Sequence, residues 1–513
     1  MKKLYTTLLC CCLLLLGLTT SCYKDDSQLA TRKITAVSID TTGMSTLSVR
    51  QFEHLKITPD LDFGDLNPED LSYEWQINFE PGDEFFDVIS TEKNLDYEVR
   101  LPPNRVGKYH LVYYKVTDNA TGLVYSTSWP LTVLNNIGEG LVIAVTPDGV
   151  HTDFSHIMSP EVTQDGTEVS VKYNVYSAIN GQMLNGLVKQ MRFTTIYGVD
   201  ALMSITDQDI YRINTLDYTY EGKNDDLFFS AKSTYQPQAL GAVVQGDVYV
   251  GEGQLTATYL GVSRKFGLPF DFSYQVPAEL AYNGFSYYPL PVRFNFYDEQ
   301  NEHFVYLPSI QFGDTNMHPV PANTEGVFDP MNVLNKENVA AGVSTTGDFR
   351  HLLKDKATGE LALYVFDGGG DQYPSPIPPA PKSYYSLVGA PEIDQAKFFV
   401  FLVDQRVMYY ATETKIYAML YSTDTPSFEE RYTVPSGETI TTLQLYQQSG
   451  YPDKYSSDNI ATNNKQLVMS TYNGSQGKVS LLPITNIGLG TVDEANIKTF
   501  DGFDKVVAIA PQK

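Results

Sequence analysis

The sequence predicts an all-β protein: an N-terminal immunoglobulin-like β-sandwich followed by a large β-rich domain that fits a seven-bladed β-propeller. Three observations carry this. Tyr and Phe number 36 and 26, and aromatic side chains suit the pleated, half-buried surface of a strand. Alternating apolar and polar runs recur, punctuated by Gly, Asn, Asp and Pro, the pattern of strands joined by turns. Long helical periodicity is missing, and stretches such as Glu392 to Lys397 suffice for a turn or two. The 513 residues exceed the usual size of one domain.

The chain opens with a processing segment. Lys2 and Lys3 precede an apolar run from Leu4 to Leu18 that contains Cys10, Cys11 and Cys12. A membrane span needs about 20 apolar residues, and Thr19, Thr20 and Ser21 stop the run first, so residues 1–21 read as a secretory signal peptide. Thr19-Thr20-Ser21-Cys22 resembles a bacterial lipobox, with Thr19 where the motif favours Leu. The resemblance implies cleavage before a lipidated Cys22, whose acyl chains give stable anchoring. Residues 22–33 then form a lipidated flexible tether. Its Lys24, Asp25 and Asp26 resemble the export signal that carries Bacteroidetes-type lipoproteins to the outer face of the outer membrane. The same composition also suits a solvated spacer. The implied location is the cell surface, with membrane contact through the N-terminal lipid only.

Cys10, Cys11, Cys12 and Cys22 are the four cysteines, and none lies in the folded body. A disulfide, a thiolate nucleophile and a cysteine metal site are therefore excluded there. The formal charge is −25, which argues against nucleic acid or anionic lipid as partners.

Residues 34–134 divide into short strands: "KITAVSID", "TLSVRQFEHLKITP", "LSYEWQIN", "LDYEVRLP", "GKYHLVYYKVTD" and "LVYSTSWPLTV". Leu71-Ser-Tyr-Glu-Trp75, Gly107-Lys-Tyr109, Val116-Thr-Asp118-Asn and Leu131-Thr-Val133 resemble a PKD-like immunoglobulin-type domain. Its size of about 100 residues is normal for such a sandwich. Trp75 is expected in the core, Asp118, Asn119 and Gly122 in the turn of the last hairpin, and Trp129 in packing rather than on a ligand.

Residues 135–513 change rhythm. Seven hairpin-like units begin at Leu141, Leu202, Ala242, Val292, Leu352, Phe398 and Leu467, each an apolar strand, a polar turn and a second strand. With room for two more strands apiece, they suggest seven blades. The closing "DKVVAIAPQK" could complete a blade begun by "EGLVIAV". A large sandwich would give similar strands.

The order of lipobox, acidic tail, PKD-like domain and long β-rich region resembles the PKD-like family lipoproteins of Bacteroidetes. These are similar to accessory subunits of SusC/SusD-like (RagA/RagB-like) TonB-dependent nutrient importers. The resemblance implies a SusC/SusD-like transporter and neighbouring surface lipoproteins as partners, a peptide or glycan as ligand, and neither catalysis nor a cofactor. It supplies no ligand-binding motif.

Catalytic motifs point the same way: HExxH, GxSxG and Walker-type loops are missing. His151 and His156 are five residues apart on a hairpin, where alternation keeps two rings off one face, so no metal site is expected. Asp367-Gly-Gly-Gly-Asp371 fits a sharp turn; it also fits a Ca²⁺ wrap but lacks EF-hand ligand alternation. The strongest surface candidate is "YPSPIPPAPKSYY", where proline favours an exposed polyproline-like excursion. Tyr373, Tyr384 and Tyr385 offer faces for a sugar, peptide or partner, as do Tyr287 and Tyr288 in "GFSYYPLP". Two alternatives stay open: a surface propeller-type glycoside hydrolase or lyase with paired hub carboxylates, and a purely structural scaffold.

Overall fold

The computed structural model describes residues 36–513 except 43–45, 105–107, 165, 197–198, 244–245, 259–263, 285–290, 312 and 450–459. Cys22, Lys24, Asp25, Asp26, Tyr287 and Tyr288 lie outside the described residues. Among the described residues no helix is long and apolar enough to cross a membrane.

The N-terminal strands form a sandwich. Its main sheet runs Leu47–Arg50, Val124–Leu134, His110–Asp118, Leu71–Ile77 and Asp87–Ser90 in spatial order, with the first pair parallel. His54–Ile57 pairs with Leu95–Glu98, and Ser38–Asp40 with Asp60–Asp62. The alternation along His110–Asp118 is strict, with every second side chain buried, as a strand with one core face requires. Trp75, Tyr114 and Trp129 stack in the core, Trp75 4.2 Å from Tyr114 and 6.1 Å from Trp129 between ring centroids. Trp129 is thus a packing residue. The Asp118 turn also follows the sequence reading: its carboxylate accepts from Ala120 N and Thr121 Oγ1, and Gly122 takes φ +72°. One expected strand differs. "TLSVRQFEHLKITP" breaks at Phe52 (φ +63°), and its two halves join different sheets.

The remaining chain forms seven sheets among the described residues, and each contains one of the seven sequence hairpins. The first strands of the sheets are Lys505–Gln512, Gln190–Ile196, Pro237–Val243, Ala281–Tyr282, Lys336–Val343, Phe398–Phe401 and Thr439–Leu445. Each contacts the next, and Thr439–Leu445 contacts Lys505–Gln512, so the ring closes. This is a seven-bladed propeller, and its blades are numbered in that order. Blade 1 joins the two ends of the ring: Lys505–Gln512 pairs antiparallel with Gly140–Thr146. Blade 3 has three strands among the described residues. Apolar side chains fill each gap between neighbouring blades, as where Tyr385 and Leu363 meet Met408 and Tyr410 between blades 5 and 6.

Because neighbouring strands run antiparallel, the turns from first to second and from third to fourth strand emerge on one side of the ring. We call it the upper face. The sandwich is tied there, beside blades 1 and 2. Gln51 Nε2 donates to the carbonyls of Leu101 and Leu216, and Asn136 Nδ2 to that of Gln51. Phe52 packs against the core between blades 1 and 2.

Candidate functional site

The inner strands surround a cavity of about 390 Å³ at the hub. Its size falls at the lower end of small-molecule pockets, about 300–1,000 Å³. Apolar walls come from Phe399, Phe401, Leu443 and Leu445, and the upper end from turn residues such as Gly284, Val403 and Gln447. Among the described lining residues Arg192 is the one charged side chain, and no Asp or Glu occurs. The paired hub carboxylates that a propeller glycosidase needs are thus not found among them.

Arg192 sits on the inner strand of blade 2 and reaches past blade 3. Its Nη1 donates to Tyr282 Oη of blade 4 at 2.8 Å, and its guanidinium lies 5.5 Å from the Tyr282 ring centroid. Gly241, on the intervening inner strand, makes room: a Cβ there would already touch the Tyr282 ring at 3.5 Å. Arg192 Nε is buried without a hydrogen-bond partner among the described residues. Behind it, buried Asp247 accepts from Thr194 Oγ1 at 2.6 Å on both oxygens. Burial pushes Asp247 up to about 6, opposed by the Thr194 hydrogen bond and by Arg192 and Arg264. Gln190 stitches blades 2 and 3 together, its amide exchanging hydrogen bonds with the backbone of Leu240.

The proline-rich segment also lies on the upper face, between the third and fourth strands of blade 5. Gly370 and Ile377 pair across its base, and the chain passes so close to the neighbouring turn that a Cβ on Gly368 would meet Gly347 O at 2.0 Å. The three tyrosines do not share a surface. Tyr373 is 99% exposed, and Tyr384 is exposed with its ring edge-on to Tyr364. Tyr385 is 6% exposed and packs against Tyr421 of blade 6. Tyr384 and Tyr385 point to opposite faces because strand side chains alternate, so Tyr385 is a core residue rather than an open binding face. Tyr385→Ala is expected to cost about 3 kcal/mol and Tyr373→Ala to leave stability within about 0.5 kcal/mol; urea unfolding of the two variants measures both.

Asp367 and Asp371 part in the same way. Asp367 accepts from Gly369 N within its own turn. Asp371 is buried against Gly313, where a Cβ would meet its Oδ1 at 2.7 Å, and burial raises its carboxyl. His151 pairs with Asp148 at the surface, whereas His156 is fully buried. The described residues hold no cluster of three or more His, Cys, Asp or Glu suited to a metal.

The sequence reading singled out neither Arg192 nor Tyr282. Arg192 belongs to no motif, and the inner strand carrying Tyr282 has two residues. A glycine such as Gly241 within a strand is the one signal of close approach available in the sequence.

Residues 22–187 match the model of the PKD-like family. The match spans the sandwich and continues through the later strands of blade 1 to the pair Leu184–Asn185. No curated protein matches the chain. Among solved structures it is similar to a quinonprotein alcohol dehydrogenase-like protein of Bacteroides thetaiotaomicron, with 13% identity, TM-score 0.49, 93% of this chain and 98% of that chain covered. It is also similar to PorZ, a surface component of the type-IX secretion system of Porphyromonas gingivalis, with 12% identity and TM-score 0.32 over 72% of this chain and 46% of that one. A third is the extracellular domain of a hybrid two component system of B. thetaiotaomicron, at 10% identity and TM-score 0.24, covering 86% and 53%.

Proposed function

We propose that the protein is a surface-exposed, lipid-anchored outer-membrane protein that serves as a non-enzymatic, ligand-binding accessory subunit of a SusC/SusD-like TonB-dependent importer of oligopeptides or oligosaccharides. The observation that carries the binding role is the hub cavity, which opens among apolar and amide groups with a single charged side chain and no carboxylate among its described lining residues. Such a lining suits holding a ligand rather than hydrolysing one, because acid–base chemistry on a glycan uses two carboxylates. The exposed Tyr373 stands on the same face, available to a partner or to cargo. The lipobox at Cys22 and the Lys24-Asp25-Asp26 tail support the location, and the PKD-like match supports the family reading.

The test is affinity purification of a C-terminally tagged chain from detergent-solubilised outer membranes, with mass spectrometry of what accompanies it. Recovery of a SusC/SusD-like pair is expected. Recovery of the chain alone overturns the importer role. A pair recovered without any ligand favours the scaffold reading.

A further inference from the structure

We infer that the hub cavity recognises a carboxylate at the end of its ligand, and that Arg192, held by Tyr282, is the group that binds it. The inference rests on the ligand-binding reading above and adds the chemical class of the ligand.

The chain carries a formal charge of −25, yet the one charged side chain among the described cavity-lining residues is cationic. A guanidinium presents its donors in a planar fork that matches a carboxylate, and it cannot lose its proton to escape burial. Tyr282 occupies one arm of that fork through Nη1, and Nε is closed off from the cavity by burial, so a ligand carboxylate meets the half-buried guanidinium at its outer end.

Arg192 belongs to a cluster of opposite charges between blades 2 and 3. Asp247 faces Arg192, accepting the one Thr194 hydroxyl proton between its two oxygens and acting on both Arg192 and Arg264. Arg264 and Arg212 in turn flank Glu221 at 3.7 and 3.2 Å, and Asp226 acts on Arg212 as well. Three guanidinium groups thus stand against three carboxylates, and Arg192 is the member of this balanced cluster that lines the cavity. Tyr282 fixes the head group from the ring face as well as through its hydroxyl, which limits the side-chain entropy lost on binding.

The cavity volume, about 390 Å³, admits the end of an oligomer and not its length. Two cargo classes end in such a group: a peptide with its free C-terminus and a glycan with a uronate. Gln444 and the apolar walls from Phe399, Phe401 and Leu443 contact what precedes the carboxylate.

The experiment is calorimetric titration of the full-length chain in detergent with four probes: trialanine, trialanine amide, digalacturonate and its methyl ester. A free acid binding at least tenfold more tightly than its blocked form supports the inference, the peptide pair or the sugar pair identifying the source. Arg192→Gln is expected to abolish that preference. Tyr282→Phe, which keeps the ring and removes only the hydroxyl, is expected to weaken the acid several-fold with the melting temperature unchanged, so a folding defect in the first variant leaves the second decisive. Equal binding of acid and blocked forms, or no binding of any probe, overturns the carboxylate assignment. Those outcomes leave the accessory role intact, because co-purification with a transporter pair is read separately and is expected to be the same for Arg192→Gln as for the natural chain.

Discussion

A chain ending at Asp504 is expected not to form the propeller. Lys505–Gln512 is the inner strand of blade 1 and carries the chain from the last blade back into the first, pairing with Gly140–Thr146 and contacting both Gln190–Ile196 and Thr439–Leu445. Its removal exposes one edge of Gly140–Thr146, a strand buried along its whole length, and unpairs its ladder donors and acceptors. Burial of Val506 and Ile509 alone contributes about 3–6 kcal/mol, a large share of the roughly 5–15 kcal/mol that separates folded from unfolded chains. The strand end adds a polar knot: Gln512 Nε2 donates to the carbonyls of Ile137, Gly138 and Thr215. Gln512→Ala keeps the strand and leaves those carbonyls without that donor, so about 2 kcal/mol is expected with the ring intact. Limited proteolysis with circular dichroism separates the cases. A truncated chain that melts cooperatively at the natural temperature would refute the closure argument.

Acidification from pH 6.5 to 4 is expected to destabilise the protein through two buried histidines. His156 accepts from Tyr218 Oη at Nδ1 and donates from Nε2 to the carbonyl of Glu139, an arrangement that one neutral tautomer satisfies. Burial lowers it to about 4. His351 donates from Nε2 to Asn295 Oδ1, its Nδ1 buried without a partner among the described residues, and burial lowers it to about 3. Both rings stay neutral in the fold while the unfolded chain takes up protons near pH 6.5. Their contribution is therefore complete above that pH and is lost as pH falls towards the folded values, each on the order of 3 kcal/mol by pH 4. Asp247 acts in the opposite sense. Its folded value is raised to about 6, so its contribution is full below pH 3.8 and is lost as pH rises to about 6, which offsets one histidine over that window. Two histidines outweigh one aspartate, and net stability falls on acidification. His351→Gln, which retains a donor for Asn295, is expected to flatten the dependence by about one proton, and Asp247→Asn to steepen it. Urea midpoints across pH 4–7 decide; parallel curves for all three chains would refute the assignment.

The seven hairpins were legible because each is local. A strand, a turn of Asp, Asn or Gly and a returning strand need no information from elsewhere in the chain, and period-2 alternation marks which residues turn inward. The pairing of "DKVVAIAPQK" with "EGLVIAV" was legible for a related reason: the closing apolar run had no hairpin of its own, and the opening blade had room for one more strand. Trp75 and Trp129 followed from size and apolarity, which in a strand mean packing.

The site was not legible in this way. Tyr384 and Tyr385 are adjacent and alike in sequence, and only the pleat, with its core side against blade 6, buries one and exposes the other. Arg192, Tyr282 and Gln444 are separated by 90 and 162 residues and carry no shared motif; ring closure alone brings them around one cavity. By itself, then, the sequence determined the β class, the local hairpins, the aromatic core of the sandwich and the features that point to a lipidated surface protein, because these depend on residue type and short-range order. The tertiary structure decided which aromatic faces meet solvent and which distant side chains share the hub, because those depend on which edges and faces the closed ring leaves uncovered.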